Sequence, residues 1–96
     1  MGIETTRWDI TEFLDNDAAI AAYLDAVFEV GDPEEIRDAL LHVAKARGMT
    51  ELAHAAGITR PGLYKALGEK GNPSFATVAA VLNALGVKMN VSPRAA

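Results

Sequence analysis

A chain of 96 residues is long enough for one small domain with its own core, and with half of its residues apolar it is too hydrophobic to stay disordered over most of its length. It has no cysteine, which excludes disulfides and thiolate metal sites, and no apolar run approaches the ~20 residues that a membrane helix needs. The net charge of −4 speaks against nucleic acid when taken whole, but its distribution along the chain points the other way. Residues 1–38 hold eleven acids against Arg7 and Arg37, whereas residues 39–96 hold seven bases against Glu51 and Glu69. Such asymmetry suggests two faces for two partners, although acids crowding helix N-termini, where the dipole favours them, account for part of it.

The opening MGIETTRWD has no basic-then-apolar leader, so a cytoplasmic protein is expected. Residues 1–14 read as an arm with a turn of helix at most, anchored by Trp8, Ile10, Phe13 and Leu14; residues 15–96 read as the folded domain. Asp15 or Asp17 is expected to cap a helix running to about Val30, with Ile20, Tyr23, Leu24, Val27 and Phe28 on one face and Gly31 as its stop. Asp32-Pro33-Glu34-Glu35 is a second helix start, combining a cap, a proline in the first turn and two acids at the positive end of the dipole. Its apolar stripe runs Ile36, Leu40, Val43, Ala44, and Lys45 and Arg47 complete it before Gly48.

The stretch Met49 to Leu67, MTELAHAAGITRPGLYKAL, predicts two short helices joined by a tight turn. Leu52, Ala53 and Ala56 give the first an apolar face, Gly57 ends it and Ile58 returns to the core. Thr50 is expected to cap this first helix, leaving an amide end that could hold a phosphate. Thr59 caps the second, Pro61 suits its first turn, and Leu63 and Leu67 recur at i, i+4. This is the spacing of a helix-turn-helix, which presents its second helix to the DNA major groove. Thr59, Arg60, Gly62, Tyr64 and Lys65 are then its exposed positions. Arg60 can make the bidentate contact to guanine O6 and N7, Lys65 lies farther along near the same face, Tyr64 and Thr59 can bond phosphates, and Gly62 would let backbone approach the duplex. After the turn Gly68 to Pro73, Ser74 caps a last helix bearing Phe75, Val78, Val81, Leu82 and Leu85, closed by Gly86. Lys70, Asn72 and the amides up to Ser74 form a second phosphate clamp. Residues 87–91, Val-Lys-Met-Asn-Val, alternate with period two and predict a short strand needing a partner strand.

GITRPGLYKAL followed by GNPSFATVAAVLNALGVKMNV resembles the HigA-like addiction module antidote proteins, a branch of the Xre/lambda-repressor-like helix-turn-helix superfamily; the likeness extends over nearly the whole chain. The resemblance implies an all-α, five-helix lambda-repressor-like domain with the short C-terminal strand, and a homodimer on a palindromic operator. It also implies service as antitoxin to a basic ribonuclease-type toxin of the RelE/ParE superfamily, with repression of its own operon. By that resemblance DNA contacts fall on Thr50, Thr59, Arg60, Pro61, Gly62, Tyr64 and Lys65. Many superfamily members carry Gln near the start of the first motif helix; this chain has Glu51, whose carboxylate would repel phosphate.

Rival readings fare less well. His42 and His54 have neither a second histidine at i+4 nor a cysteine for metal spacing, and no phosphate-loop, dinucleotide or nucleophile-elbow motif occurs, so neither an enzyme nor a cofactor or metal protein is expected. A stand-alone phage-type repressor without a toxin partner stays open, as does an adaptor whose helix-turn-helix no longer binds DNA.

Overall fold

The computed structural model describes residues 16–95, which form five helices and no strand. The expected N-terminal arm lies outside the described residues. The helices are α1 (Asp17–Val30), α2 (Pro33–Arg47), α3 (Met49–Ala56), α4 (Arg60–Leu67) and α5 (Phe75–Ala84).

Local chemistry sets most boundaries. Asn16, rather than Asp15 or Asp17, caps α1, its Oδ1 accepting from the Ala19 amide at 2.8 Å. An amide oxygen serves as well as a carboxylate there, and Asp17, one position later, is left to pair with Arg47 at the far end of α2. Asp32 caps α2 through the Glu35 amide, and Ser74 caps α5 through the Thr77 amide. At the end of α3, Gly57 takes φ +74°; the Gly57 amide then bonds the His54 carbonyl and the Ile58 amide the Ala53 carbonyl. This is the paired closure that swings the chain sharply and folds Ile58 back against the core.

The expected Thr50 cap is not found. The chain passes from α2 to α3 through Gly48 alone, at φ +101° and ψ +113°, and no side chain caps α3. Thr50 sits inside the first turn, exposed, because α3 begins at Met49, which is itself buried.

The core draws from every helix: Ile20 and Leu24; Ala39, Leu40, Val43 and Ala44; Met49, Leu52 and Ala53; Leu63 and Leu67; Val81, Leu82 and Leu85. No polar or charged residue among the described ones is fully buried with them, Arg37 being the charged side chain that comes near it at 12% exposed. The central helix is α2, packed against α1, α3 and α4, while α3 also carries α4 and α5. Small residues at the crossings (Ala39, Ala44, Ala53) let backbones approach closely.

The predicted strand at 87–91 does not form. The Val87 amide bonds the Leu82 carbonyl at 3.1 Å, closing α5, and Val87 tucks against the core. Among the described residues no strand lies alongside the alternation that continues through Met89 and Val91; its expected partner, the N-terminal arm or the same strand of a second subunit, lies outside them. Phe75, read as part of the apolar face of the last helix, is 73% exposed.

Candidate nucleic-acid interface

The outward side of α4 follows from which residues its neighbours claim. Leu63 and Leu67 are fully buried, and Gly62 and Ala66 are half-buried. At about 100° per residue, the remaining positions spread Arg60, Tyr64, Pro61 and Lys65, in that order, over an arc of about 140°. All four are exposed. Arg60 and Lys65, expected near the same face, lie five residues apart and bracket this exposed arc, with Tyr64 and Pro61 between them.

Each edge of that arc borders a concavity. On the Arg60 side, Arg60 and Tyr64 line an open cleft with Lys45, Arg47, Gly48, Met49, Thr50 and Glu51. The Arg60 guanidinium lies over the Tyr64 ring, 5.1 Å from its centroid. On the Lys65 side, Lys65 shares a second cleft with Gly62, Lys70, Asn72, Ser74 and Thr77. Seven of the nine candidate residues thus fall into two groups, Thr50, Arg60 and Tyr64 on one flank and Gly62, Lys65, Lys70 and Asn72 on the other, while Thr59 and Pro61 line neither cleft.

Thr59 and Gly62 work as a unit. The Thr59 Oγ1 accepts the Gly62 amide at 3.0 Å, and a Cβ on Gly62 would stand 2.8 Å from that same oxygen. A Cβ on Gly62 would crowd the cap; Gly62 faces Thr59 and Ile58 and is half-buried, not exposed as expected from sequence. The Thr59 hydroxyl oxygen accepts in this bond, which leaves its O–H to donate elsewhere.

Three contributors escaped the sequence reading as site residues. Lys45 and Arg47 read as dipole complements in the last turn of α2, yet across the one-residue joint at Gly48 both line one cleft with Arg60, the Arg47 guanidinium also pairing with Asp17. Thr77 reads as an ordinary α5 residue, yet it pairs with the Ser74 hydroxyl at 3.1 Å and enters the second cleft. Only the i, i+3 spacing from the Ser74 cap signals it. Glu51 also lies in the first cleft, 3.9 Å from where a Gly48 Cβ would stand, at the amide end of α3. A carboxylate there already complements the helix dipole and opposes a phosphate at the same end.

The histidines lie elsewhere. His54 is exposed on α3, and His42 Nδ1 is 3.2 Å from the Tyr23 hydroxyl, joining α1 to α2. Burial, and secondarily the Asp38 charge, raise the Tyr23 pKa above its ordinary value. Among the described residues no group of three His, Asp or Glu could hold a metal ion, and no helix is long and apolar enough to cross a membrane.

The comparisons with known proteins bear on nearly all of this chain. It is 43% identical over 84 residues to an uncharacterized protein of Haemophilus influenzae, covering 88% of this chain and 87% of that one. No solved structure is a significant match. A family model described as "probable addiction module antidote protein" matches residues 4–93. With a match that spans the two clefts, the arc of α4 and the acid-rich helices alike, the chain belongs to this "probable addiction module antidote protein" family.

Proposed function

We propose that this protein is a HigA-like antitoxin of a type II toxin-antitoxin module, a non-enzymatic cytoplasmic protein that binds operator DNA through α4 and represses its own operon. The observation that carries the reading is the arc of α4: four exposed side chains bracketed by Arg60 and Lys65, with a further base-bearing cleft at each edge. A helix entering the major groove needs this form. Arg60, preset over Tyr64, offers a planar fork to guanine, while Lys65 and Lys70 on one flank and Lys45 on the other reach the two phosphate walls. Thr59 and Pro61 shape the start of the helix, and Asn72 joins the phosphate contacts.

The partner proteins are assigned from the remaining surface. Asp25, Glu29, Asp32, Glu34, Glu35 and Asp38 are all exposed on α1, α2 and the joint between them, which suits a basic RelE/ParE-like toxin. Homodimerisation on a palindromic operator follows from reading two half-sites about one helical turn apart. Exposed Phe75, Met89 and Val91 support a dimer surface formed by α5 and the segment after it.

The test is co-expression with the product of the adjacent gene, followed by a gel shift on the shared promoter. Capture of a small basic toxin and a shift that Lys65→Ala or Arg60→Ala weakens are expected. A shift without any toxin would favour the stand-alone repressor. Undiminished neutralisation by a chain lacking residues 1–30 would remove Asp25 and Glu29 from the toxin interface and leave it to Asp32, Glu34, Glu35 and Asp38.

A further inference from the structure

Between α4 and α5 the chain makes a turn, residues 68–74, that carries Lys70 and Asn72. The turn is gripped from two sides. On one side its backbone lies so close to the end of α4 that a Cβ on Gly71 would stand 2.1 Å from the Ala66 carbonyl oxygen and 2.6 Å from that of Lys65. The Gly71 amide closes the turn onto the Gly68 carbonyl at 2.8 Å. On the other side, Arg37 of α2 reaches across and donates from Nη1 to the Gly71 carbonyl at 3.2 Å.

Arg37 is an odd choice if stability alone is at stake. Its side chain is only 12% exposed, its second amino group bonds the neighbouring Asp38 at 3.2 Å, and its Nε is buried with no partner. Its side chain lines a largely apolar groove with Pro33, Ile36, Leu40, Pro73 and Val78, in which Glu34 and Asn72 are the polar neighbours. Burying a guanidinium with an unmet donor costs free energy, and an apolar side chain of similar length would fill this groove at least as well. What an apolar residue cannot do is hold the Gly71 carbonyl.

We propose that Arg37 is a positioning residue for DNA: it does not touch the duplex, and by fixing the Gly71 carbonyl it sets the turn so that Lys70 and Asn72 meet the phosphate wall in register with Lys65. This rests on the operator-binding reading above. It separates two properties that normally move together. Removing Arg37 leaves the fold as stable as before, or more so, while phosphate contacts are lost.

The test uses the full chain, a duplex from its own promoter and a random duplex of equal length. Wild type is compared with Arg37→Met, Arg37→Lys, the charge-balanced pair Arg37→Gln with Asp38→Asn, Lys70→Ala, and Arg37→Met with Lys70→Ala. For Arg37→Met the denaturation midpoint is expected to hold or rise. Affinity is expected to fall about 5- to 20-fold on both duplexes, with base preference unchanged and the salt slope reduced by about one phosphate contact. Adding Lys70→Ala to it should cost little more, because the contact is already gone. Arg37→Lys, which keeps a donor, should recover part of the affinity, and the charge-balanced pair should not. Amide exchange at Gly71, Asn72 and Ser74 should quicken in Arg37→Met even without DNA. Wild-type binding that Arg37→Met leaves intact would overturn this proposal alone, as would a charge-balanced pair that binds like wild type. A wild-type protein that ignores its promoter would bring down the operator reading and this proposal together.

Discussion

Arg60 and Tyr64 stand one helical turn apart on α4, and the guanidinium carbon of the first lies 5.1 Å from the ring centroid of the second. The contact leaves both side chains exposed and costs Arg60 little of its reach. It narrows the conformations Arg60 samples before any ligand arrives, so less ordering entropy is lost on binding.

The first prediction concerns this pair. Arg60→Ala should cost about 1–3 kcal/mol on the operator and relax preference at one base pair. Tyr64→Ala should cost less, and a double-mutant cycle should give a coupling of about 0.5–1 kcal/mol between the two. Fluorescence anisotropy on operator and random duplexes decides it: equal losses on both for Arg60→Ala would rule out direct base readout.

The Thr59 cap and Gly62 should be non-additive. Thr59→Ala removes a helix cap worth about 1 kcal/mol. Gly62→Ala alone brings a Cβ against Thr59 Oγ1, so its gain in helix propensity is offset by disturbance of the cap. In the Thr59→Ala background that obstruction is gone, and Gly62→Ala should stabilise by about 0.5–1 kcal/mol. Urea unfolding of the four proteins measures the cycle; additive effects would mean that the hydroxyl simply rotates away.

Core and surface leucine-sized groups should separate cleanly. Leu63→Ala empties a fully buried site in α4 and should cost about 2–5 kcal/mol, enough to threaten so small a domain. Phe75→Ala, at a residue 73% exposed, should change monomer stability by no more than about 0.5 kcal/mol. If α5 forms the dimer surface, the same change should raise the dimer dissociation constant, read by analytical ultracentrifugation.

Tyr23 makes alkaline pH informative. Burial, helped by the Asp38 charge, raises its pKa in the folded state, so the neutral phenol is favoured by folding. The stabilisation is fully present below the unfolded tyrosine pKa near 10 and is lost as pH rises through the higher folded value. Stability measured in urea from pH 8 to 11 should therefore decline at the alkaline end, and Tyr23→Phe should flatten that decline. A Phe variant with the same alkaline slope as wild type would assign the decline to other groups.

How much of this was legible in the chain follows from the range of the interactions. Asp32, Thr59, Ser74 and the glycines at 31, 57 and 86 act on backbone within a few residues, so α1 to α5 and the turn before α4 could be placed from local chemistry and period. Other local expectations failed, the Asp15 or Asp17 cap giving way to Asn16 among them. Period-two alternation at 87–91 made no strand, because a strand needs a second strand and the Val87 amide was taken by α5. Thr50 lost the cap of α3 because a one-residue joint at Gly48 starts that helix earlier.

What the sequence determined by itself was the set of helices, their apolar stripes and the polar character of residues 59–65, since each depends on contacts close along the chain. Tertiary packing decided the rest. It half-buried Gly62, which the sequence placed on the exposed side of α4, against Thr59 and Ile58. It brought Lys45 and Arg47 beside Arg60, and laid Arg37 against Gly71, 34 positions away. Those relationships arise only when the buried faces of separate helices are satisfied at once, which no local pattern encodes.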